Sequence, residues 1–269
     1  MELAEEFAWR GRTIACGRAG TGPAVVFCHG TPFSSTVWSR YAVALSDTFT
    51  VHAWDMPGYG RSSKRPDDPV DFGAQAAAFA ALIEHWELDR PHVVAHDFGG
   101  ATALRAHLLD GRDYRALLLI DPVAISPWGS PFVQVARGHE DAFGELPPYI
   151  HDAILRAYIG GAVHRPLVDE DMRRYLGPWL GETGQAAFYR QVAQMSDRFT
   201  TEVEGRYGEI RCPVSILWGA EDGWIPAERG ETLAARIPGA RLQVVPAAGH
   251  LMQEDAPEAI VAAALGMLG

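Results

Sequence analysis

The chain has 269 residues, of which 48% are hydrophobic and 21% are charged. This composition is ordinary for a globular protein and excludes a chain that is mostly disordered. The formal net charge of −11 at pH 7 argues against a nucleic-acid or anionic membrane partner, because either surface would repel the chain at long range.

Predicted strands and helices alternate through the first half of the chain. A weakly alternating segment over residues 7–16 predicts an edge hairpin, and short apolar runs then predict strands over 24–28, 49–54, 92–95 and 116–120. Helices are predicted between these strands, one behind a Ser34 or Ser35 cap, one behind an Asp71 cap and one over residues 101–109. The alternation predicts an α/β fold with a mainly parallel sheet and helices on both faces.

The pattern changes over residues 126–206, where strand-like runs are absent and prolines and aromatic residues are frequent. This composition predicts a largely helical segment rather than a continuation of the sheet. We expect it to be a cap, inserted in a core domain formed by residues 1–125 and 207–269.

Strand-like runs return after this segment, over residues 213–218 and 242–245. The last predicted element is a helix near the C-terminus. Asp255, with Glu258 three residues later, resembles a capping box and predicts the start of that helix.

A sharp strand-to-helix turn is predicted at His96-Asp97-Phe98-Gly99-Gly100, directly after strand 92–95. Small residues there flank one side chain at the end of a strand, which is the nucleophile-elbow arrangement. A serine usually occupies that position, whereas this chain has Asp97, with His96 in place of the first glycine. The turn therefore predicts a carboxylate nucleophile.

Three polar residues, Asp97, Asp222 and His250, each follow a predicted strand. Catalytic groups in open α/β sheets gather at the edge formed by the carboxyl ends of the strands. We therefore expect these three side chains to meet there. Their order along the chain, nucleophile then acid then histidine, resembles that of the α/β-hydrolase family.

Further motifs carry the same resemblance, which extends over essentially the full length of the chain. His29-Gly30-Thr31-Pro32 resembles the family's H-G-x-P oxyanion loop, and residues 55–62 resemble its D-x-x-G-x-G-x-S turn. The turn at 96–100 is similar to the H-D-x-G-G/A elbow of the branch that contains epoxide hydrolases and haloalkane dehalogenases. The resemblance implies an α/β-hydrolase fold with an aspartate nucleophile.

The chemistry of a carboxylate explains its place in the turn. An aspartate with an ordinary pKa, about 3.9, is ionised at neutral pH and can displace a leaving group from saturated carbon. The resulting ester of Asp97 needs His250 as the general base that activates water, with Asp222 orienting the imidazole. Asp121 remains an alternative to Asp222, because it also ends a predicted strand. Backbone N–H groups of Thr31 and Phe98 are candidates for an oxyanion hole.

The residues beside the nucleophile favour an epoxide over a haloalkane. Haloalkane dehalogenases hold the halide with side-chain N–H groups, and Phe98 and Thr31 offer none. Epoxide hydrolases of this family protonate the ring oxygen with cap tyrosines, and the predicted cap contains Tyr149, Tyr158, Tyr175 and Tyr189. Because Phe188-Tyr189-Arg190 resembles the element that carries one such tyrosine, Tyr189 is the predicted proton donor and Tyr149 its candidate partner.

Haloalkane dehalogenation stays open as the alternative reaction. Residues 34–38 and 253–255 are similar to dehalogenase segments, and an indole N–H for the halide could come from Trp128, Trp179 or Trp224. These tryptophans and Tyr149 are also the candidate substrate-binding residues. An ester or lactone hydrolase and a non-catalytic, ligand-binding member of the fold remain further alternatives.

Water and a small, apolar, uncharged substrate are the expected partners, and a vicinal diol is the expected product. We expect no cofactor and no metal site, because the remaining histidines lack ligand-like spacing.

The three cysteines are odd in number, which argues against a disulfide framework. Residues 1–6 are too acidic for a signal peptide. Since apolar runs long enough to span a bilayer are absent, we expect a cytoplasmic enzyme.

Overall fold

The computed structural model describes residues 2–268, and an eight-stranded sheet lies at its centre. The strands are, in chain order, β1 (Glu5–Trp9), β2 (Arg12–Ala19), β3 (Ala24–Cys28), β4 (Thr50–Trp54), β5 (His92–His96), β6 (Ala116–Ile120), β7 (Val214–Gly219) and β8 (Arg241–Val245). Across the sheet their order is β1-β2-β4-β3-β5-β6-β7-β8. Strand β2 pairs antiparallel with β1 and β4, and the other neighbouring pairs are parallel. The predicted mainly parallel sheet is confirmed.

Twelve α-helices accompany the sheet in the part of the chain that the structure describes. They are α1 (Ser39–Leu45), α2 (Phe72–His85), α3 (Phe98–Leu108), α4 (Pro131–Ala136), α5 (Glu140–Gly144), α6 (Pro148–Gly160), α7 (Asp169–Leu176), α8 (Gly181–Ala193), α9 (Arg198–Glu204), α10 (Glu228–Arg236), α11 (Met252–Asp255) and α12 (Pro257–Leu268). Short 3-10 helices lie at Ser35–Trp38, Gly177–Trp179 and Tyr207–Glu209. Among residues 2–268, no helix combines the length and the apolar character that crossing a bilayer requires.

Two of the predicted helix caps are present and one is wrong. The side chain of Ser34 accepts a hydrogen bond from Thr36 N–H at the 3-10 helix before α1, and that of Asp71 accepts one from Ala74 N–H in α2. Asp255 does not begin the last helix: it ends α11, and α12 starts at Pro257. Its carboxylate instead accepts N–H groups from other loops, because it is buried beside their backbones.

The central strands are covered on both faces. Every residue of β5 and β6 is buried, and side chains alternate between the two faces of a strand, so helices must cover both sides. Helix α3 packs against β3 and β5, and α12 packs against β6 and β7. This packing fixes the carboxyl ends of the central strands, from which the candidate catalytic residues follow.

Helices α4 to α9 all lie between β6 and β7 in the chain, although these two strands are hydrogen-bonded neighbours in the sheet. The segment that joins them is described throughout and contains no strand. It therefore leaves the sheet after β6 and returns to the adjacent position as a helical insertion.

Candidate active site

Asp97 occupies a strained turn between β5 and α3. Its backbone angles are φ 50° and ψ −115°, a region that costs a residue other than glycine about 1–3 kcal/mol. The turn also needs a residue without a side chain at position 99, since a Cβ on Gly99 would lie 2.5 Å from the carbonyl oxygen of Cys28. Close packing of α3 on β3 thus holds the Asp97 side chain at the carboxyl edge of the sheet.

Both carboxylate oxygens of Asp97 have neighbours from distant parts of the chain. Oδ1 accepts a hydrogen bond of 2.7 Å from the N–H of Thr31, in the loop after β3. Oδ2 lies 3.3 Å from Nε2 of His250, in a contact that lacks hydrogen-bond alignment. Phe98 begins α3, where the first N–H groups have no partner within the helix. Of the two predicted oxyanion-hole groups, the N–H of Thr31 binds the carboxylate and the N–H of Phe98 has no partner within α3.

His250 connects Asp97 to Asp222. Its Nδ1 lies 2.8 Å from Oδ2 of Asp222, and both side chains are fully buried. The other oxygen of Asp222 accepts N–H groups from Trp224 and Ile225 at 2.8 and 2.9 Å. These bonds fix the acid, which in turn fixes the imidazole with Nδ1–H toward Asp222 and Nε2 toward Asp97.

The two carboxylates control the protonation of His250. Burial alone would lower the pKa of this imidazole, but the charges of Asp222 and Asp97 outweigh burial and raise the pKa well above its ordinary value. The two carboxylates therefore favour the protonated form of His250.

Asp121, the alternative acid, lies close to this group but does not bond to His250. Its Oδ1 accepts a hydrogen bond of 2.8 Å from the N–H of Gly219, and its Oδ2 has no partner in the described chain. Burial, followed by the charge of Asp222, raises the pKa of Asp121 well above its usual range. Asp222 bonds to His250 and Asp121 does not. Asp222 is therefore the better placed of the two acids to orient the imidazole.

The two histidines near the motifs bond to backbone, as expected of structural residues. Nε2 of His29 accepts the N–H of Met56 at 2.9 Å, which ties the loop after β3 to the loop after β4. Nε2 of His96 lies 2.9 Å from the carbonyl oxygen of His250. Burial lowers the pKa of His96 well below its usual value, so the neutral ring donates this hydrogen bond and holds the backbone of His250.

A cavity of about 30 Å³ adjoins Asp97. It has space for no more than a few water molecules and is far smaller than ligand pockets of about 300–1,000 Å³. Its polar groups are Asp97, Thr31, Ser130 and Tyr158, and its other walls are mostly apolar, with side chains of Phe98, Val123, Trp128, Val133, Met195 and Ile225. A carboxylate at the end of a small apolar cavity suits an uncharged electrophile.

Comparison with known proteins identifies the family. A model of the alpha/beta hydrolase family matches residues 25–264. The chain belongs to this family. A solved alpha/beta hydrolase fold protein from Burkholderia ambifaria is 52% identical to it, with a TM-score of 0.97, and the match covers 99% of this chain and 98% of that one.

Two relatives of this α/β hydrolase have named activities. It is 28% identical to haloalkane dehalogenase 2 of Mycobacterium tuberculosis strain H37Rv, over 93% of this chain and 89% of the relative. The solved epoxide hydrolase CorEH is 20% identical with a TM-score of 0.80, and the match covers 98% of this chain and 97% of that one. At such low identity the structural match demonstrates the shared fold alone.

The structure does not place the predicted proton donor, Tyr189, at the cavity of this hydrolase. Tyr189 is buried away from the cavity, with its hydroxyl 3.0 Å from Nδ1 of His151, and Tyr149 is 73% exposed. Of the four candidate tyrosines, Tyr158, near the end of α6, lines the cavity. The sequence named Tyr158 among four candidate tyrosines but gave no signal that ranked it above Tyr189.

Two of the three candidate tryptophans line the cavity of this hydrolase. The ring of Trp224 lies 4.9 Å from that of His250, and Trp128 closes another wall. Trp179 lies elsewhere and donates its indole N–H to the carbonyl oxygen of Pro32 at 2.5 Å. The indole N–H of Trp128 is also engaged, by Thr200 Oγ1 at 2.9 Å. Neither of these two indoles offers a free donor to a halide.

Gln191, on α8, is a buried residue of the site that the sequence did not predict. Its Oε1 accepts hydrogen bonds from the hydroxyls of Thr31 at 3.0 Å and Tyr59 at 2.7 Å. This contact ties the helical insertion to the residue whose N–H bonds Asp97. A glutamine within a helix gives no sequence signal for such a role.

Proposed function

We propose that this hydrolase opens epoxides through an ester on Asp97 and releases vicinal diols. The observation that supports this most directly is the carboxylate at the nucleophile elbow, with His250 3.3 Å away and Tyr158 lining the same cavity. In this proposal the helical insertion over residues 126–206 is a cap, and it supplies Tyr158 to the site.

In the first half-reaction, a carboxylate oxygen of Asp97 attacks an epoxide carbon and the carbon–oxygen bond of the ring breaks. The electron pair stays on the ring oxygen, which takes a proton from Tyr158. Burial, with the nearby charge of Asp97, raises the pKa of the Tyr158 phenol well above its usual value. The phenol is therefore protonated when the epoxide binds, as a general acid must be.

Esterification also changes His250. Once Asp97 has lost its charge, one of the two carboxylates that raise the pKa of His250 is gone, and the imidazolium can release its proton. That proton restores the Tyr158 phenol. The neutral imidazole is then able to act as a base toward water, held in orientation by Asp222.

In the second half-reaction, His250 takes one proton from water as the water oxygen attacks the ester carbonyl of Asp97. The N–H groups of Thr31 and Phe98 stabilise the resulting oxyanion. The intermediate collapses to release the diol oxygen, which takes the proton back from His250. The new carboxylic acid then passes the second water proton to His250, which restores the starting charges of both groups.

A haloalkane dehalogenase is the second candidate, and the 28% identity to the Mycobacterium tuberculosis enzyme of that name favours it. It shares the Asp97 ester and differs in the leaving group, which would be a halide. The indole groups of Trp128 and Trp179 weigh against it, because both are already bonded to protein oxygens, which leaves Trp224 on the cavity wall as the remaining candidate donor.

The test is to trap the ester. A His250→Gln variant lacks the base for the second half-reaction, so the ester on Asp97 accumulates and can be detected by peptide mass mapping after incubation with epoxides, haloalkanes or carboxylic esters. We expect a mass increase equal to the whole epoxide. The double variant with Asp97→Asn is the control and stays unlabelled.

Other outcomes of this experiment would replace the proposal. Labelling by haloalkanes alone identifies a dehalogenase. If nothing labels Asp97 while the wild-type enzyme hydrolyses carboxylic esters, the assignment of Asp97 as nucleophile is wrong.

A further inference from the structure

The loop after β3 is held by two side chains of the helical insertion. The hydroxyl of Thr31 donates a hydrogen bond of 3.0 Å to Oε1 of Gln191, in α8. The carbonyl oxygen of the next residue, Pro32, accepts the indole N–H of Trp179 at 2.5 Å. Because the N–H that binds Oδ1 of Asp97 belongs to Thr31, the insertion holds the residue that carries this N–H.

Gln191 is the acceptor for two buried hydroxyls. Its Oε1 also accepts the hydroxyl of Tyr59 at 2.7 Å, and the hydroxyls of Tyr59 and Thr31 lie 3.2 Å apart. Gln191 is 2% exposed and Thr31 is 3% exposed, so bulk water does not replace a bond that is lost between them. Without Oε1 the two hydroxyls have one hydrogen bond between them, and the second O–H is left unpaired. We therefore expect residue 31 to shift when Oε1 is removed.

The two oxygens of Asp97 have different neighbours, which assigns them different roles in the proposed reaction. Oδ1 is bonded to the N–H of Thr31, whereas Oδ2 faces Nε2 of His250 without hydrogen-bond alignment. Oδ2 is therefore the oxygen that is available to attack, and Oδ1 becomes the carbonyl oxygen of the ester. Attack of water then places a negative charge on Oδ1. The N–H of Thr31 stabilises this charge, so its alignment affects the hydrolysis of the ester.

We propose that Gln191 is a positioning residue for the second half-reaction: through the hydroxyl of Thr31 it holds the N–H of Thr31 in line with Oδ1 of Asp97. This inference rests on the proposed ester on Asp97 and is independent of the leaving group. It makes the rate of ester hydrolysis depend on the helical insertion. A residue that only stabilises the fold has no reason to affect one half-reaction and spare the other.

The test measures the two half-reactions separately in a Gln191→Leu variant, which removes Oε1 with little change in side-chain volume. We expect ester hydrolysis to slow by about 10- to 100-fold, at or below the roughly 10²- to 10³-fold cost of deleting an oxyanion donor. Ester formation should keep the wild-type rate or rise, because the starting carboxylate also loses stabilisation. The ester should therefore accumulate on Asp97 although His250 is present. Rapid-quench mass spectrometry of the Asp97 peptide gives both rates.

Gln185→Leu is the matched control on the same helix. Gln185 is 6% exposed, and its Nε2 donates to the carbonyl oxygens of Gly144 and Leu146 at 3.0 and 2.8 Å. It does not line the cavity at Asp97. The control therefore loses buried hydrogen bonds of a glutamine in α8, and it should have a lower stability with an unchanged ratio of the two rates.

Thr31→Val removes the same contact from its other end and keeps the backbone N–H. It should also slow hydrolysis more than ester formation. Because the two substitutions break one contact, the double variant with Gln191→Leu should hydrolyse the ester no more slowly than the slower single variant. Losses that multiply in the double variant would mean that Gln191 acts by another route, and the inference would be wrong.

The amide proton of Thr31 provides a measurement that does not depend on turnover. Its NMR signal in the free protein should move upfield in Gln191→Leu, because the hydrogen bond to Asp97 lengthens, and should stay in place in Gln185→Leu. A signal that does not move in Gln191→Leu would contradict the inference.

The failure of this inference differs from the failure of the proposed function. If Gln191→Leu hydrolyses the ester at the wild-type rate, or slows both half-reactions equally, Gln191 does not position Thr31, although the ester on Asp97 stands. If no substrate forms an ester on Asp97 in the His250→Gln variant, the proposed function fails and this inference fails with it.

Discussion

Nε2 of His250 lies 3.3 Å from Oδ2 of Asp97 in a fully buried contact, so the charge of each group acts directly on the other. Ester formation on Asp97 removes a negative charge that raises the pKa of His250. We therefore predict that His250 titrates at lower pH in the ester than in the free enzyme. The check is the pH dependence of ester hydrolysis in single turnovers, against an NMR titration of His250 in the free protein. Equal pKa values in the two states would contradict the coupling.

The same pKa shift predicts a pH dependence of stability. Because the pKa of His250 in the folded protein lies above the value of about 6.5 expected in the unfolded chain, the imidazolium contributes its full stabilisation below pH 6.5. That contribution is lost as the pH rises through the folded-state pKa. The difference in unfolding free energy between wild type and His250→Gln should therefore shrink above pH 6.5, as measured by urea unfolding. A difference that grows with pH would mean that the pKa is lowered instead.

The two buried acids near His250 should respond very differently to the same substitution. Asp222→Asn removes the charge that orients and stabilises the imidazolium, and we expect ester hydrolysis to slow by about 10⁴-fold, as in other histidine–aspartate pairs. The ester should accumulate in that variant, since its formation does not need the base. Asp121→Asn is the matched control: it keeps an oxygen for the N–H of Gly219 and should leave the rate within a few fold. A large loss in Asp121→Asn alone would make Asp121 the catalytic acid.

A second pair of variants distinguishes the roles of Tyr158 and Tyr189, two tyrosines of the helical insertion. Tyr158→Phe removes the proposed general acid, and we expect ester formation from epoxides to slow by about 10²- to 10⁴-fold. Tyr189→Phe removes only the hydrogen bond to His151, so its rate should be unchanged and its stability lower by about 0.5–1.5 kcal/mol. Rapid-quench measurement of the ester distinguishes slower ester formation from slower ester hydrolysis. If Tyr158→Phe forms the ester at the wild-type rate, another group protonates the ring oxygen.

The strands and the residues that follow them could be predicted from the sequence, since buried parallel strands are short apolar runs with a clear beginning and end. Strands β3 and β6 have the predicted bounds, 24–28 and 116–120. Each candidate catalytic residue follows such a strand, and parallel strands present their carboxyl ends at one edge. Strand direction therefore brings Asp97, Asp222 and His250 to one edge of the sheet, and the loops after β7 and β8 bring the last two side chains into contact with each other and with Asp97.

The helical insertion could not be oriented in the same way. Along α8 the five residues from 188 to 192 are all buried, including the polar Arg190 and Gln191, so polarity in the sequence does not tell which side of the helix points toward the site. Gln191 of that helix reaches Thr31, whereas Tyr189 points to His151. Packing between helices determines which side chains of α8 point toward the site, and hydrophobic periodicity carries no information about that packing.

The loop after β4 offers a stability prediction that depends on one contact. Gly60 has φ 47°, and a Cβ there would lie 2.1 Å from Oδ2 of Asp55. That buried carboxylate accepts N–H groups from Ser35 and Arg61, both at 2.8 Å, so it cannot move without losing them. We expect Gly60→Ala to lower the free energy of unfolding by about 1–3 kcal/mol more than a Gly→Ala substitution at a similar φ where no atom lies near the new Cβ.

Gly111 provides that comparison, because its φ is 65° and no atom lies within 4 Å of the position of a Cβ. Gly111→Ala should lower the free energy of unfolding only by the backbone cost of the left-handed conformation, about 1–2 kcal/mol. Urea unfolding of the two variants side by side therefore isolates the clash with Asp55. Equal losses in the two variants would mean that the Asp55 loop adjusts freely, and that its hydrogen bonds do not hold the turn in place.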